Sequence, residues 1–109
     1  MIGGFIVGGR GQDSTRVVVR ALGPSLEDSN VEGPLQDPTL QLVNQSGTVI
    51  AENDNWKQNE AEIAATGIPP TRDPESAVVI SVAPGLYTAI VRGQGGTTGV
   101  GLVEVYNIP

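Results

Sequence analysis

Acidic side chains are the residues of this sequence best suited to chemistry, because they concentrate along one stretch of the chain. The stretch contains Glu52, Asp54, Glu60, Glu62, Asp73 and Glu75, with the amides Asn53 and Asn55 among them. Calcium is bound by carboxylate, amide and main-chain oxygens, which loops supply readily. The spacing differs from the Asp-x-Asn-x-Asp-Gly pattern of a helix–loop–helix calcium site. Asx turns and capping of a following helix are the alternative role for residues 53–55.

The residue types give little support to an enzyme. The chain has no histidine and no cysteine, which excludes His-based triads, thiolate chemistry and the usual zinc ligands. Ser25 and Ser76 therefore lack a histidine partner, and Lys57 is the only lysine. The glycine-rich segment 93–99 lacks the Gly-x-x-x-x-Gly-Lys pattern of a phosphate-binding loop and predicts a hairpin tip. We therefore expect a protein without catalytic activity.

Trp56 is the only tryptophan and follows a polar turn. If its indole is exposed, it offers a flat surface that stacks on a sugar ring or on a collagen-like proline. If it is buried, it fills space between two sheets and its N–H finds a hydrogen-bond acceptor. A role in ligand stacking and a role in the core are both compatible with this position.

The charge of the chain limits its partners. Six basic residues against twelve acidic ones give a net charge of −6. A nucleic-acid-binding protein needs a basic surface to neutralise phosphates, so we expect no nucleic-acid partner. The opening segment 1–9 is apolar, but it is short, glycine-rich and without a basic start. It predicts neither a signal peptide nor a membrane span.

Short β-prone runs separated by Gly and Pro dominate the rest of the sequence. They occupy residues 5–7, 16–22, 39–43, 48–51, 77–82, 86–91 and 100–106. Residues 57–66 are the one run of good helix formers, and Gly67 and the prolines at 69–70 end it. Strands without long helices between them predict an all-β protein. We expect one domain over residues 1–109, an antiparallel jelly-roll-like or Ig-like β-sandwich of about seven or eight strands with one short helix.

Two stretches carry a resemblance to a known family. The segment 37–54, with its Asp-Pro start and Ala-Glu-Asn-Asp end, and the segment 83–91, Ala-Pro-Gly-Leu-Tyr-Thr-Ala-Ile-Val, resemble the bacterial pre-peptidase C-terminal domain. The chain as a whole is similar to an uncharacterised repeat of large exported bacterial proteins. The motifs that it shares with this repeat are Gly-Gly-Phe-Ile-Val at 3–7, Arg-Ala-Leu-Gly-Pro-Ser-Leu at 20–26, Asp-Pro-Thr-Leu at 37–40, Asn-Asp-Asn-Trp at 53–56 and the closing strand at 98–106.

The resemblance implies an extracellular or cell-surface module with an adhesive or architectural role. Some relatives bind calcium near acidic loops, and the motif match places such a site on Asp37, Asn53 and Asp54. The alternative function is a calcium-assisted accessory domain of a secreted enzyme that binds a polysaccharide or a matrix protein.

Related repeats carry another strand-like stretch before the motif at 3–7, and its absence would leave a sheet edge exposed. An exposed edge can pair with another chain, so the expected partners are other copies or neighbouring repeats. Residues Gly3, Gly4, Phe5, Ile6 and Val7 are the candidate assembly strand, and head-to-tail strand exchange would produce a filament.

Overall fold

A computed structural model of the protein describes residues 1–10 and 13–108. The strands are β1 (Ile2–Val7), β2 (Thr15–Leu22), β3 (Pro38–Asn44), β4 (Val49–Asn53), β5 (Ser76–Val82), β6 (Gly85–Gly93) and β7 (Leu102–Ile108). One α-helix, α1 (Glu60–Ala64), follows a 3-10 turn at Trp56–Asn59, and further 3-10 turns lie at Pro24–Ser29 and Gln94–Gly96. The predicted all-β class with one short helix near residues 57–66 is confirmed.

The strands form two antiparallel sheets, one of four strands and one of three. The four-stranded sheet has the order β1-β6-β3-β4, and the three-stranded sheet has the order β5-β2-β7. Alternation along each strand directs every second side chain inward. Val19 of β2, Leu42 of β3 and Ala89 of β6 are examples of inward residues that solvent scarcely reaches. The aliphatic core between the sheets explains why so few aromatic residues suffice.

The helical segment connects β4 of the four-stranded sheet to β5 of the three-stranded sheet. Trp56 and Ile63 pack on Ala77 and Val79. These two residues of β5 alternate with the inward-facing Val78, so the segment covers the outer face of the three-stranded sheet. The helix is also shorter than the run of helix formers, because only five residues are α-helical before Gly67 adopts a positive φ of 80°.

A buried carboxylate fastens the loops around this covered face. Glu75 is fully buried, and one of its oxygens accepts hydrogen bonds from the amides of Gly23 and Ser25 and from the Ser25 hydroxyl, at 2.9, 3.0 and 2.6 Å. The other oxygen accepts one from the Arg72 amide at 3.2 Å. The Glu75 carbonyl also accepts the Trp56 amide at 2.9 Å. One residue thereby joins the turn after β2, the loop before β5 and the helical segment.

Glu75→Gln tests this role of the carboxylate. The amide group would present its own N–H donors to backbone N–H donors, so at least one buried hydrogen bond is lost without replacement. We expect the free energy of unfolding to fall by about 2 kcal/mol, measured by urea denaturation. Glu27→Gln, at an exposed acid in the neighbouring 3-10 turn, is the matched control and should leave stability unchanged. Equal stabilities of the two variants would contradict this account.

Candidate functional site

The β3–β4 hairpin brings two carboxylates together. Asp37 directly precedes β3 and Asp54 directly follows β4, and the register places Leu40 opposite Asn53. The two aspartates therefore lie at the open end of the hairpin, although sixteen residues separate them in sequence. The four-residue turn at 45–48, in which Asn44 accepts bonds from the Ser46 and Thr48 amides, fixes this register.

The first residues of β5 hold both ends of the hairpin in place. The Ser76 hydroxyl lies 2.7 Å from the carbonyl oxygens of both Pro38 and Asp54. The Asn53 side-chain oxygen accepts the Ala77 amide at 3.1 Å. The Gln94 amide donates to the Asp37 carbonyl at 2.8 Å. Main-chain atoms on both sides of the carboxylate pair are thus fixed by contacts that do not involve the carboxylates themselves.

The electrostatics of the pair are unfavourable to two negative charges. Asp37 Oδ1 and Asp54 Oδ1 are both buried, and neither has a hydrogen-bond partner among the described residues. Burial raises the pKa of Asp37 above its ordinary value of 3.8, and the negative charge of Asp54 raises this pKa further. A proton shared between the carboxyl groups, or a cation between them, would relieve this repulsion.

A polar cleft of about 410 Å³ adjoins Asp54. Among its lining residues, Arg92 donates to the Gln41 side-chain oxygen at 2.8 Å, and Gln41 donates to Glu52 at 3.3 Å. These contacts leave side-chain oxygens and one guanidinium at the rim. The cleft has the size and polarity to receive a hydrated ion or part of a polar ligand.

The structure brings together two of the three predicted calcium ligands. In addition to its bond with Ala77, Asn53 donates to the Asn55 carbonyl at 3.0 Å, so its amide is engaged in fixing the backbone. Within the described ranges 1–10 and 13–108, no three acidic side chains gather as a metal-binding group. A cation at this place would rely on Asp37 and Asp54, with carbonyl or amide oxygens to complete its shell.

Trp56, the predicted stacking residue, is only 9% exposed. Its ring N–H donates to the Arg72 carbonyl at 3.1 Å, and the Lys57 ammonium lies 5.6 Å from the ring centroid. This is the buried alternative of the sequence analysis, on the outer face of a sheet instead of between two sheets. The role in ligand stacking remains a prediction that would require this ring to become accessible.

A second candidate site is the open side of the sandwich between β1 and β7. Gly3, Phe5 and Val7 of β1 face the core, and Phe5 stacks on Tyr87 with ring centroids 5.5 Å apart. Ile2 and Ile6 point outward and are 72% and 76% exposed. All five predicted assembly residues therefore lie on one edge strand of the four-stranded sheet.

A groove of about 350 Å³ separates this edge from β7. Val105 of β7 pairs with Val19 of β2, which lies in the core between the sheets, yet Val105 is 39% exposed. The four-stranded sheet stops at β1 and does not extend over it. An added strand beside β1 would cover Val105 and the groove.

Comparison with protein-family models, with curated proteins and with solved structures found no match for this chain. No helix in the described part of the chain has the length and apolar character needed to cross a membrane. The structure itself therefore defines the class, an all-β sandwich with an open side and a half-buried carboxylate pair.

Asp37→Asn tests the electrostatics of the carboxylate pair. The pKa of Asp37 is raised in the folded state, so folding favours the protonated form, and the free energy of unfolding decreases as the pH rises through the folded-state pKa. The variant removes one charge and supplies a donor to Asp54. In the presence of a chelator, we expect the free energy of unfolding of the variant at pH 7 to be about 1 kcal/mol higher than that of the wild type.

The advantage of Asp37→Asn should shrink as the pH falls through the raised folded-state pKa of Asp37 toward 3.8, because the wild-type carboxyl takes up a proton over this range. Thermal unfolding monitored by circular dichroism between pH 3 and pH 7 measures the difference. Glu32→Gln, at an exposed acid, is the control for a general effect of net charge. An Asp37→Asn variant less stable than the wild type at pH 7 would show that the pair is not repulsive.

Proposed function

We propose that this chain is a non-catalytic structural module that associates with other copies of itself through the open side between β1 and β7. The observation that carries the proposal is the edge strand β1, whose Ile2 and Ile6 project into solvent beside an uncovered groove. The outward Leu86 of β6, opposite Ile6, is also 53% exposed. Ile2, Ile6 and Leu86 together form an apolar surface that is exposed to solvent and that a partner strand could bury.

The composition of β1 supports association, because nothing in it prevents pairing. Edge strands of soluble proteins usually carry a charge, a proline or a bulge that discourages further strands. The opposite edge of the same sheet has two of these features, Glu52 within β4 and a register shift between Leu42 and Val43. In β1 the sequence Ile-Gly-Gly-Phe-Ile-Val has none of them.

The setting that we propose, an extracellular or cell-surface structure of a bacterium with adhesive properties, follows from the resemblance described above. Assembly by strand exchange would transfer β1 to the equivalent position beside β6 of a neighbour, which repeats head to tail into a filament. Neighbouring copies of the same repeat within a longer chain would serve as partners equally well.

The hydrogen bonds made by the Ser25 and Ser76 hydroxyl groups support the proposal that the chain is not catalytic. The Ser25 hydroxyl donates to Glu75 at 2.6 Å, and the Ser76 hydroxyl is bound to main-chain carbonyl oxygens. With no histidine in the sequence, neither serine belongs to a histidine-based triad, and the carboxylate beside Ser25 is occupied by three backbone amide donors.

Ile6→Lys tests association through β1. Its side chain is mostly in solvent, so the fold should keep its melting temperature, while a charge on the edge opposes pairing. Light scattering should show assemblies for the wild type and a marked loss of mass for the variant. Val49→Lys introduces the same charge at an exposed residue of the opposite edge and should assemble as the wild type does. A monomeric wild type at high concentration and physiological salt would refute the proposal.

A calcium-assisted binding module for a polysaccharide or matrix protein is the second candidate function. It is favoured by the two buried carboxylate oxygens without partners, Asp37 Oδ1 and Asp54 Oδ1, beside a polar cleft. In this function the cation would neutralise the pair and add a positive charge at the cleft, to which hydroxyl or carboxylate groups of a ligand could bind.

Asp54→Asn tests this second candidate. If calcium binds between the carboxylates, adding it at one hundred times its dissociation constant should stabilise the wild type by about 2.7 kcal/mol. Calorimetric unfolding with calcium and with chelator should reveal this shift in the wild type and its loss in the variant. Glu52→Gln, which removes an exposed acid from the same cleft, should retain the shift. Identical wild-type melting in both buffers would exclude a calcium site of useful affinity.

A further inference from the structure

The hydrogen-bonding groups on the free edge of β1 belong to alternate residues. Met1 and Val91 exchange both of their backbone hydrogen bonds, at 2.9 and 2.8 Å. In an antiparallel ladder such pairs alternate with pairs that exchange none. With the register Gly3↔Ala89 and Phe5↔Tyr87, the odd-numbered residues bind β6. The N–H and C=O groups of Ile2, Gly4 and Ile6 therefore point toward the open side.

Gly4 is a glycine that the fold itself does not require. Its φ lies outside the left-handed region, and an added Cβ would meet nothing nearer than the Tyr87 carbonyl oxygen at 3.8 Å. Gly3 differs, because a Cβ there would lie 2.9 Å from Val103. A glycine inside a strand is destabilising relative to alanine, and it often marks the close approach of another backbone.

We infer that β1 pairs with β1 of a second copy, antiparallel and centred on Gly4. The inference rests on the proposed function, and it specifies the partner and the geometry of the contact. Free groups must face free groups, so Ile2, Gly4 and Ile6 must lie opposite residues of the same set. The register that satisfies all three places Ile2 opposite the partner's Ile6 and Gly4 opposite the partner's Gly4.

The same register matches side chains on both faces. On the outer face, each Ile2 lies beside the partner's Ile6, which buries the two most exposed isoleucines of the edge against each other. On the inner face, each Phe5 lies opposite the partner's Gly3, where the missing side chain leaves room for the ring. No residue of β1 is charged, so the net charge of −6 per chain is kept away from the contact.

This contact has two-fold symmetry and differs from strand exchange. Each β1 keeps its own pairing with β6, and the two four-stranded sheets become one continuous sheet. Because the same surface is used on both copies, the contact closes on itself and yields a pair. A longer assembly would need a second contact elsewhere on the surface.

Cysteine cross-linking tests the register, and the chain has no native cysteine to interfere. Opposed residues that exchange hydrogen bonds have Cα atoms about 5.5 Å apart, within the range of about 4.4–6.8 Å that a disulfide spans. Gly4→Cys is opposite itself in this register and should form a covalent dimer alone under mild oxidation. Ile2→Cys and Ile6→Cys should each stay monomeric alone, and their mixture should form a covalent heterodimer.

The exposed residue Val49 of the opposite edge supplies the collision control as Val49→Cys, read on the same non-reducing gel. Strong cross-linking of Ile2→Cys alone, or of Val49→Cys as much as Gly4→Cys, would overturn the inference. If light scattering finds assemblies while Gly4→Cys remains uncross-linked, the symmetric register is wrong and the proposed function stands. If light scattering finds monomers at every concentration, the proposed function fails as well.

Discussion

The carboxylate of Glu75 is fully buried, and four hydrogen bonds to its oxygens replace those that it would make with water. Its donors come from the turn after β2 and from the loop before β5, so the end of β2 and the start of β5, which lie side by side in the antiparallel pair, are tied to one side chain. Trp56 and Arg72 attach the helical segment to the same residue and its loop. Removing one partner of a buried charged group costs more than the bond itself contributes, which makes this arrangement cooperative.

As a consequence, one outer face of the sandwich is covered by another segment of the chain and the other is left exposed. The three-stranded sheet is covered by the segment from Trp56 to Ala64, and beside that cover Arg20 binds Glu104 and lies over the Tyr106 ring. The four-stranded sheet has no such cover over Ile2, Ile6 and Leu86. Association is therefore proposed at the side of the molecule where no other segment of the chain covers the exposed apolar residues.

Much of the fold could be predicted from the sequence, because alternation and turn residues act locally. The runs at 39–43 and 48–51, with Gly47 between them, indicate two neighbouring strands joined by a short turn, and their pairing explains why Asp37 and Asp54 meet. The role of Glu75 could not be predicted, since a buried acid and a solvated one look alike until the loops that donate to it are placed. The position of Trp56 was open for a related reason. The sequence is compatible with a buried or an exposed indole, and the sheet face that receives the ring depends on long-range packing.

The pairing of β1 with β6 joins residues that are far apart along the chain, with Ile2 opposite Ile90. A ribosome adds on the order of 5–20 residues per second, so β1 emerges roughly 4–18 seconds before its partner strand has been made. During that interval the strand is an apolar, uncharged segment with both edges free. Under the proposed pairing of β1 with β1, the order of synthesis would allow two nascent chains on one polysome to meet before each copy has completed its own sheet.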